Sequence, residues 1–169
     1  MAIEEPKFEL VETLGEIEIR KYGPMVLAET ELSGEFGEVG NQGFRRVAAY
    51  IFGGNKMNEK IAMTAPVIQE SSGKNSKVSF VMPADKDLSH LPVPNDVQVV
   101  LKEMPARKMA VLRYSGTWSE ERYLEKLQEL LTELKTRNIT AKGTPLWARY
   151  NPPWMPWFLR RNEILVEVE

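Results

Sequence analysis

The sequence predicts an α+β protein: duplicated βαββ units forming a distorted antiparallel β-barrel or sheet flanked by two helices. Three observations predict it. An order of strand, proline, strand, Ser-Gly, amphipathic helix, strand, strand runs twice along the 169 residues. Ser33-Gly34 and Ser115-Gly116 stand 82 positions apart (115 − 33), and Ala28 and Ala110 fall at the same offset. Each half carries one stretch of three- and four-residue apolar spacing among stretches that alternate, the periods of a helix and of strands. The pseudo-repeats span about 16–83 and 97–169 inside a single domain, 1–169.

Residues 7–13 and 16–22 read as strands around Leu14-Gly15, the second setting Ile17 and Ile19 against Glu16, Glu18 and Arg20. Pro24 breaks the chain, and 25–32 reads as a third strand. After Ser33-Gly34, the residues Phe36, Val39, Gly43, Phe44, Val47, Ala48 and Ile51 mark one helix face, closed by Gly53-Gly54-Asn55. Strands at 61–69 and 77–82 follow, joined by the polar turn 71–75, and 83–96 is a loop. Strands at 97–103 and 107–114 flank Pro105. Thr117-x-x-Glu120 has the form of a capping box. Tyr123, Leu127, Leu130, Leu131 and Leu134 give the second helix its stripe, which stops at Arg137-Asn138. A strand at 145–150, a proline- and aromatic-rich loop and a closing strand at 164–168 complete the chain.

That loop holds Pro152, Pro153 and Pro156 among Trp154, Trp157 and Phe158. Proline excludes a regular helix or central strand there, so the aromatics sit on a stiff loop. Such a loop either plugs the core or presents an apolar wall to a flat ligand. The first helix is Gly-rich at its start (Gly37, Gly40, Gly43). Each glycine disfavours a helix by roughly 1 kcal/mol relative to alanine, so the pattern predicts close backbone approach or a groove beside that helix.

Composition narrows the chemistry. A net charge of −2 with scattered Lys and Arg argues against a nucleic-acid surface. No apolar run approaches a membrane span. With no Cys, thiolate catalysis, disulfides and zinc–thiolate sites are excluded. With one His, His90, a metal site built from side chains is not expected. No N-terminal signal is read. Met1 before Ala2-Ile3-Glu4 fits either a cytoplasmic chain or a periplasmic one whose signal peptide was removed before Ala2.

Several segments together resemble the SOUL/heme-binding protein family. They are Lys60-Ile61-Ala62-Met63-Thr64-Ala65-Pro66-Val67, Tyr150-Asn151-Pro152-Pro153 followed by Phe158-Leu159-Arg160-Arg161-Asn162-Glu163-Ile164, Glu18-Ile19-Arg20-Lys21-Tyr22, and Tyr50-Ile51-Phe52-Gly53-Gly54-Asn55. The likeness runs in order over nearly the whole chain. It implies non-covalent binding of heme or a related tetrapyrrole in an open apolar groove, in a carrier, buffer or sensor and not an enzyme. It implies heme or porphyrin as the partner of a monomer. The groove would lie between the first helix, with Phe44, Arg45, Val47, Ala48 and Ile51, and the loop before the last strand, with Trp154, Met155 and Trp157. In some members a loop Lys is expected to pair with a heme propionate. Here Trp154 and Met155 hold those positions. Arg45, Arg46, Arg160 or Arg161 would have to substitute, since guanidinium suits carboxylates.

Iron ligation stays open among Met63, His90, Tyr50 and Tyr150, each of a type that can bind heme iron. His90 sits in the loop 87–92, far in sequence from either groove wall, where a solvated loop residue is the plainer reading. Two other readings remain: an effector-binding or interaction module whose small-molecule ligand is not a tetrapyrrole, and a small hydrolase with Glu163 as its acid/base. Against the latter, Arg161 and Glu163 would form a local ion pair at the start of the last strand.

Overall fold

In a computed structural model, which describes residues 3–169, nine strands and two α-helices form. Met1 and Ala2, on which the two readings of the N-terminus turn, lie outside the described residues. The strands are β1 (Phe8–Leu14), β2 (Ile17–Tyr22), β3 (Met25–Ser33), β4 (Val67–Ser72), β5 (Asn75–Val81), β6 (Val99–Met104), β7 (Arg107–Ser115), β8 (Ala141–Arg149) and β9 (Arg161–Val168). The helices are α1 (Phe36–Ile51) and α2 (Glu120–Thr136). No helix among the described residues is long and apolar enough to cross a membrane.

The fold class is α+β with antiparallel sheets, and the chain divides into two compact units. Unit 1 holds residues 24–105 with the first six residues; unit 2 holds 7–23 and 106–169. Within unit 1 the strands run in the order β4-β5-β3-β6, and within unit 2 in the order β1-β2-β7-β9-β8. The strand order ends at β1 and at β6, which do not pair with each other, so the barrel half of the expectation is corrected: the sheet is not closed. The pairing is alike in the two units. In each unit the strand before the helix is flanked by the second strand after it, β3 by β5 and β7 by β9.

The strand that leads into each repeat pairs in the other unit. β2 precedes β3 in sequence but joins β7, with Ile19 opposite Ala110. β6 precedes β7 but joins β3, with Ala28 opposite Leu101. The unit borders fall at Gly23/Pro24 and at Pro105/Ala106. Proline cannot donate to a ladder, and both prolines stand at the unit borders, between strands.

In unit 1 the apolar face of α1 packs on β3, β4 and β5. Val39, Val47 and Ile51 join Ala28, Val78 and Phe80 in one core, each at most 2% exposed. Gly43 explains the Gly-rich helix start, because a Cβ there would collide with the Val78 side chain and lie 3.1 Å from Leu32 Cδ1. The helix approaches β5 too closely for any larger residue, whereas Gly37 has open space. At the helix end Gly53 takes φ +113°, a conformation that L side chains rarely adopt.

In unit 2, Tyr123, Leu130 and Leu134 bury the inner face of α2. The N-cap is Ser119, whose hydroxyl accepts from Arg122 N at 3.2 Å, not Thr117 as the capping-box spacing suggests. Pro66, without an N–H, delays β4 to Val67 although the apolar run begins at Ile61. β8 and β9 begin four and three residues earlier than the apolar pattern suggests, because backbone pairing continues through polar residues.

Candidate functional site

The family motifs prove to be mostly structural locks. In the Lys60–Val67 motif, Ile61 N donates to Ile51 O at 2.8 Å, tying the end of α1 to the segment that enters β4. Thr64, 5% exposed, donates its hydroxyl to Val81 O. Asn55 is buried and makes four hydrogen bonds: it donates to Tyr50 O and Glu59 O and accepts from Met57 N and Glu59 N. In unit 2 the fully buried Asn162 accepts from Trp118 Nε1 at 2.8 Å and donates to Gly116 O.

Glu163 is the centre of a buried polar network in unit 2. Arg20 donates to both of its oxygens, each at 3.0 Å, and Tyr150 Oη donates at 2.6 Å. Arg161 reaches it at 3.4 Å, so the local ion pair is present but secondary. Arg20 also donates to Tyr22 Oη and Glu18 and stacks over Phe8 at 4.2 Å. Burial alone would raise the Glu163 carboxyl. The hydrogen bonds from Arg20 and Tyr150 and the charges of Arg20 and Arg161 outweigh it and hold the group below the usual carboxylate range. Burial pushes the Tyr150 phenol up, and the neighbouring carboxylate adds to the shift. A carboxylate at 0% exposure, deprotonated and saturated with donors, has no free lone pair for a substrate and no proton to give. The sequence missed Arg20 as its main partner because 143 positions separate them; the signal available was a charged residue on a strand between Ile19 and Tyr22, all three buried.

The loop before β9 does present an open surface. Trp154 is 83% exposed, and Trp157, Phe158 and Leu159 are 57–60% exposed, the last three on a single 3-10 turn. The Trp157 and Phe158 rings meet edge-on at 5.5 Å. Arg160 pins the loop by donating to Pro153 O at 2.8 Å and Met155 O at 3.1 Å, with its guanidinium 4.1 Å from the Trp118 ring. Arg161 lies 3.8 Å over Tyr150. Both arginines are therefore occupied within the protein.

The residues expected to line a groove fall in both units. In unit 1, Val47, Ala48 and Ile51 are core residues, Phe44 is half-buried against Phe80 at 5.3 Å, and Met63 is half-buried against the same core. Arg45 is exposed, while Arg46 donates to Thr30 Oγ1 at 2.8 Å. In unit 2, Trp154 and Trp157 are exposed, and Met155 and Arg160 are half-buried.

The loop aromatics offer exposed flat apolar faces, but the candidate iron ligands are poorly placed. Tyr50 Oη donates to Pro92 O, and burial, with Glu59 adding, pushes its phenol up to about 12. Tyr150 is bound to Glu163. His90 stands on an exposed turn with Nδ1 2.6 Å from Asp87, as a solvated loop residue would. Among the described residues no three His, Asp or Glu side chains come together to hold a metal.

Known proteins share the sequence pattern and the α+β architecture of this chain. Residues 3–167 match the SOUL heme-binding protein family, and the chain belongs to it. Heme-binding protein 2 of Homo sapiens is 27% identical, across 92% of this chain and 83% of that protein. Three solved structures share the fold at 10% identity. They are the EcmrR C-terminal domain (TM-score 0.70; 90% of this chain, 96% of that one), a hydrolase from Listeria innocua (0.62; 91% and 92%) and SAV2435 bound to tetraphenylphosphonium (0.56; 91% and 94%).

Proposed function

We propose that the protein binds heme or a related tetrapyrrole non-covalently and acts as a carrier, buffer or sensor rather than a catalyst. The observation that carries this reading is the loop of unit 2, which holds Trp154, Trp157, Phe158 and Leu159 in water. Four exposed apolar side chains on a loop pinned by Arg160 support an interaction role for it, and its flat rings suit a flat ligand. Membership in the heme-binding family supports the ligand class. The saturated, buried Glu163 speaks against the hydrolase reading. When bound, heme would supply redox and ligand-binding iron; the protein's part is to cover the ring and exclude water from one face.

Hemin titration tests this by a Soret shift. It should weaken in Trp157→Ala on the loop, and Arg45→Glu reports whether the exposed side of α1 contributes. A flat titration of folded protein refutes the proposal. The effector-module reading draws on SAV2435, and displacement of hemin by tetraphenylphosphonium would favour it.

A further inference from the structure

One cation in unit 2 is left without a counter-charge. Arg149 ends β8, two residues before the proline-rich loop. Its Nε and Nη2 atoms, the edge that normally grips a carboxylate, are inaccessible to solvent and have no hydrogen-bond partner. It makes no ion pair with any described residue, although the chain carries 24 acidic residues. What surrounds the guanidinium is aromatic: Trp147 at 4.9 Å and Trp118 at 5.3 Å from ring centroids. Tyr114 adds its field but remains a neutral phenol, pushed up to about 12 by burial. Burial lowers Arg149 to about 10, which leaves it charged at neutral pH. Cation–π contacts offset only part of the desolvation of this half-buried cation. A half-buried guanidinium whose Nε and Nη2 have no partner is a candidate anchor for an anion.

Position gives the anion its class. The Trp118 ring touches Arg149 and also Arg160, the residue that holds the exposed aromatic loop. The Trp118 ring thus joins Arg149 to the residue that pins the loop carrying Trp157 and Phe158, while Arg160 and Arg161 are already committed to carbonyls and to Glu163. We propose that Arg149 is the anchor for a ligand carboxylate, and that the loop selects aromatic carboxylic acids over their neutral counterparts. This rests on the tetrapyrrole reading for the ligand's size, but not for its charge. Arg149 supplies the role of the absent loop lysine from a strand end, with Trp118 and Trp147 orienting its planar fork.

The test titrates protoporphyrin IX and its dimethyl ester into the wild type, Arg149→Met, Arg149→Lys and the exposed control Arg113→Met. The free acid should bind the wild type about tenfold or more tighter than the ester. Arg149→Met should abolish that preference without changing ester affinity, Arg149→Lys should keep only part of it, and Arg113→Met should keep all of it. A preference that survives in Arg149→Met, or none in the wild type, overturns the proposal. If Arg149→Met does not fold, Arg149→Lys decides by the same criterion. If neither porphyrin binds the wild type, the tetrapyrrole reading has failed and a smaller pair decides. 2-Naphthoate, but not 2-naphthalenemethanol, should then perturb tryptophan fluorescence through Trp118 and Trp147 in an Arg149-dependent way; no such difference overturns the anchor.

Discussion

Glu163→Gln should be among the most destabilising isosteric changes in the protein. The substitution keeps the volume but turns one acceptor oxygen into an NH2 group. That group faces the Arg20 guanidinium or the Tyr150 hydroxyl, now 3.0 and 2.6 Å away. It also leaves the Arg20 cation, 4% exposed, without a full counter-charge. Breaking a buried pair by neutralising one partner costs about 3–5 kcal/mol. For a chain of this length that lowers Tm by roughly 6–20 °C. Urea denaturation followed by circular dichroism measures it. Because the loss comes from stranding Arg20, adding Arg20→Met should recover part of it, with a coupling of about 1–3 kcal/mol. The pH dependence carries the same sign. A carboxyl held low in the folded state contributes stability that is present above its unfolded pKa of about 4.3. That contribution disappears as pH falls through the depressed folded value. Wild type should therefore lose stability on acidification below about pH 4, and Glu163→Gln should lack that component. A variant within about 2 °C of wild type at pH 7, or strictly additive losses with Arg20→Met, would refute the network as the origin of stability.

Other outcomes follow from the same structure. Gly43→Ala should destabilise unit 1 by about 1–3 kcal/mol through overpacking against Val78, despite alanine's better helix propensity, whereas Gly37→Ala should be neutral or stabilising; thermal melts compare them. Tyr150→Phe removes a hydrogen bond to a carboxylate and should cost about 1.5–3 kcal/mol in urea unfolding. Asn55→Ala strands two carbonyls and two amides at the end of α1 and should cost about 2–4 kcal/mol, with faster amide exchange at Met57 and Glu59. Trp154→Ala and Trp157→Ala should leave stability within about 0.5 kcal/mol, because both rings are exposed, while weakening hemin binding in the Soret titration.

Much of the fold was legible because its signals are local. The 3.6-residue stripe of Val39, Val47 and Ile51 and the Leu-rich stripe of α2 are helix faces wherever the helices dock. Alternation located most strands, and prolines at 24 and 105 marked the breaks. The site was less legible. The helix stripe that matched the family's groove wall is the core face, since one apolar pattern serves packing and ligand contact alike. Arg160 read as a free cation until its partners, two backbone carbonyls, were brought against it, whereas the Arg161–Glu163 pair, local in the chain, was legible. Arg149 carried no local signal, because an unpaired charge is defined by what fails to approach it.

By itself the sequence determined the α+β class, the doubled βαββ order, the family motifs and the stiff aromatic loop. These follow from periodicity, proline chemistry and glycine spacing, which act over a few residues. Only the tertiary structure decided that β2 and β6 pair outside their own repeats, that Glu163 is locked by Arg20 and that Arg149 is left uncompensated. Backbone ladders and buried charges are satisfied by whichever groups meet in space. Residues 143 positions apart in the chain meet only when the sheet forms.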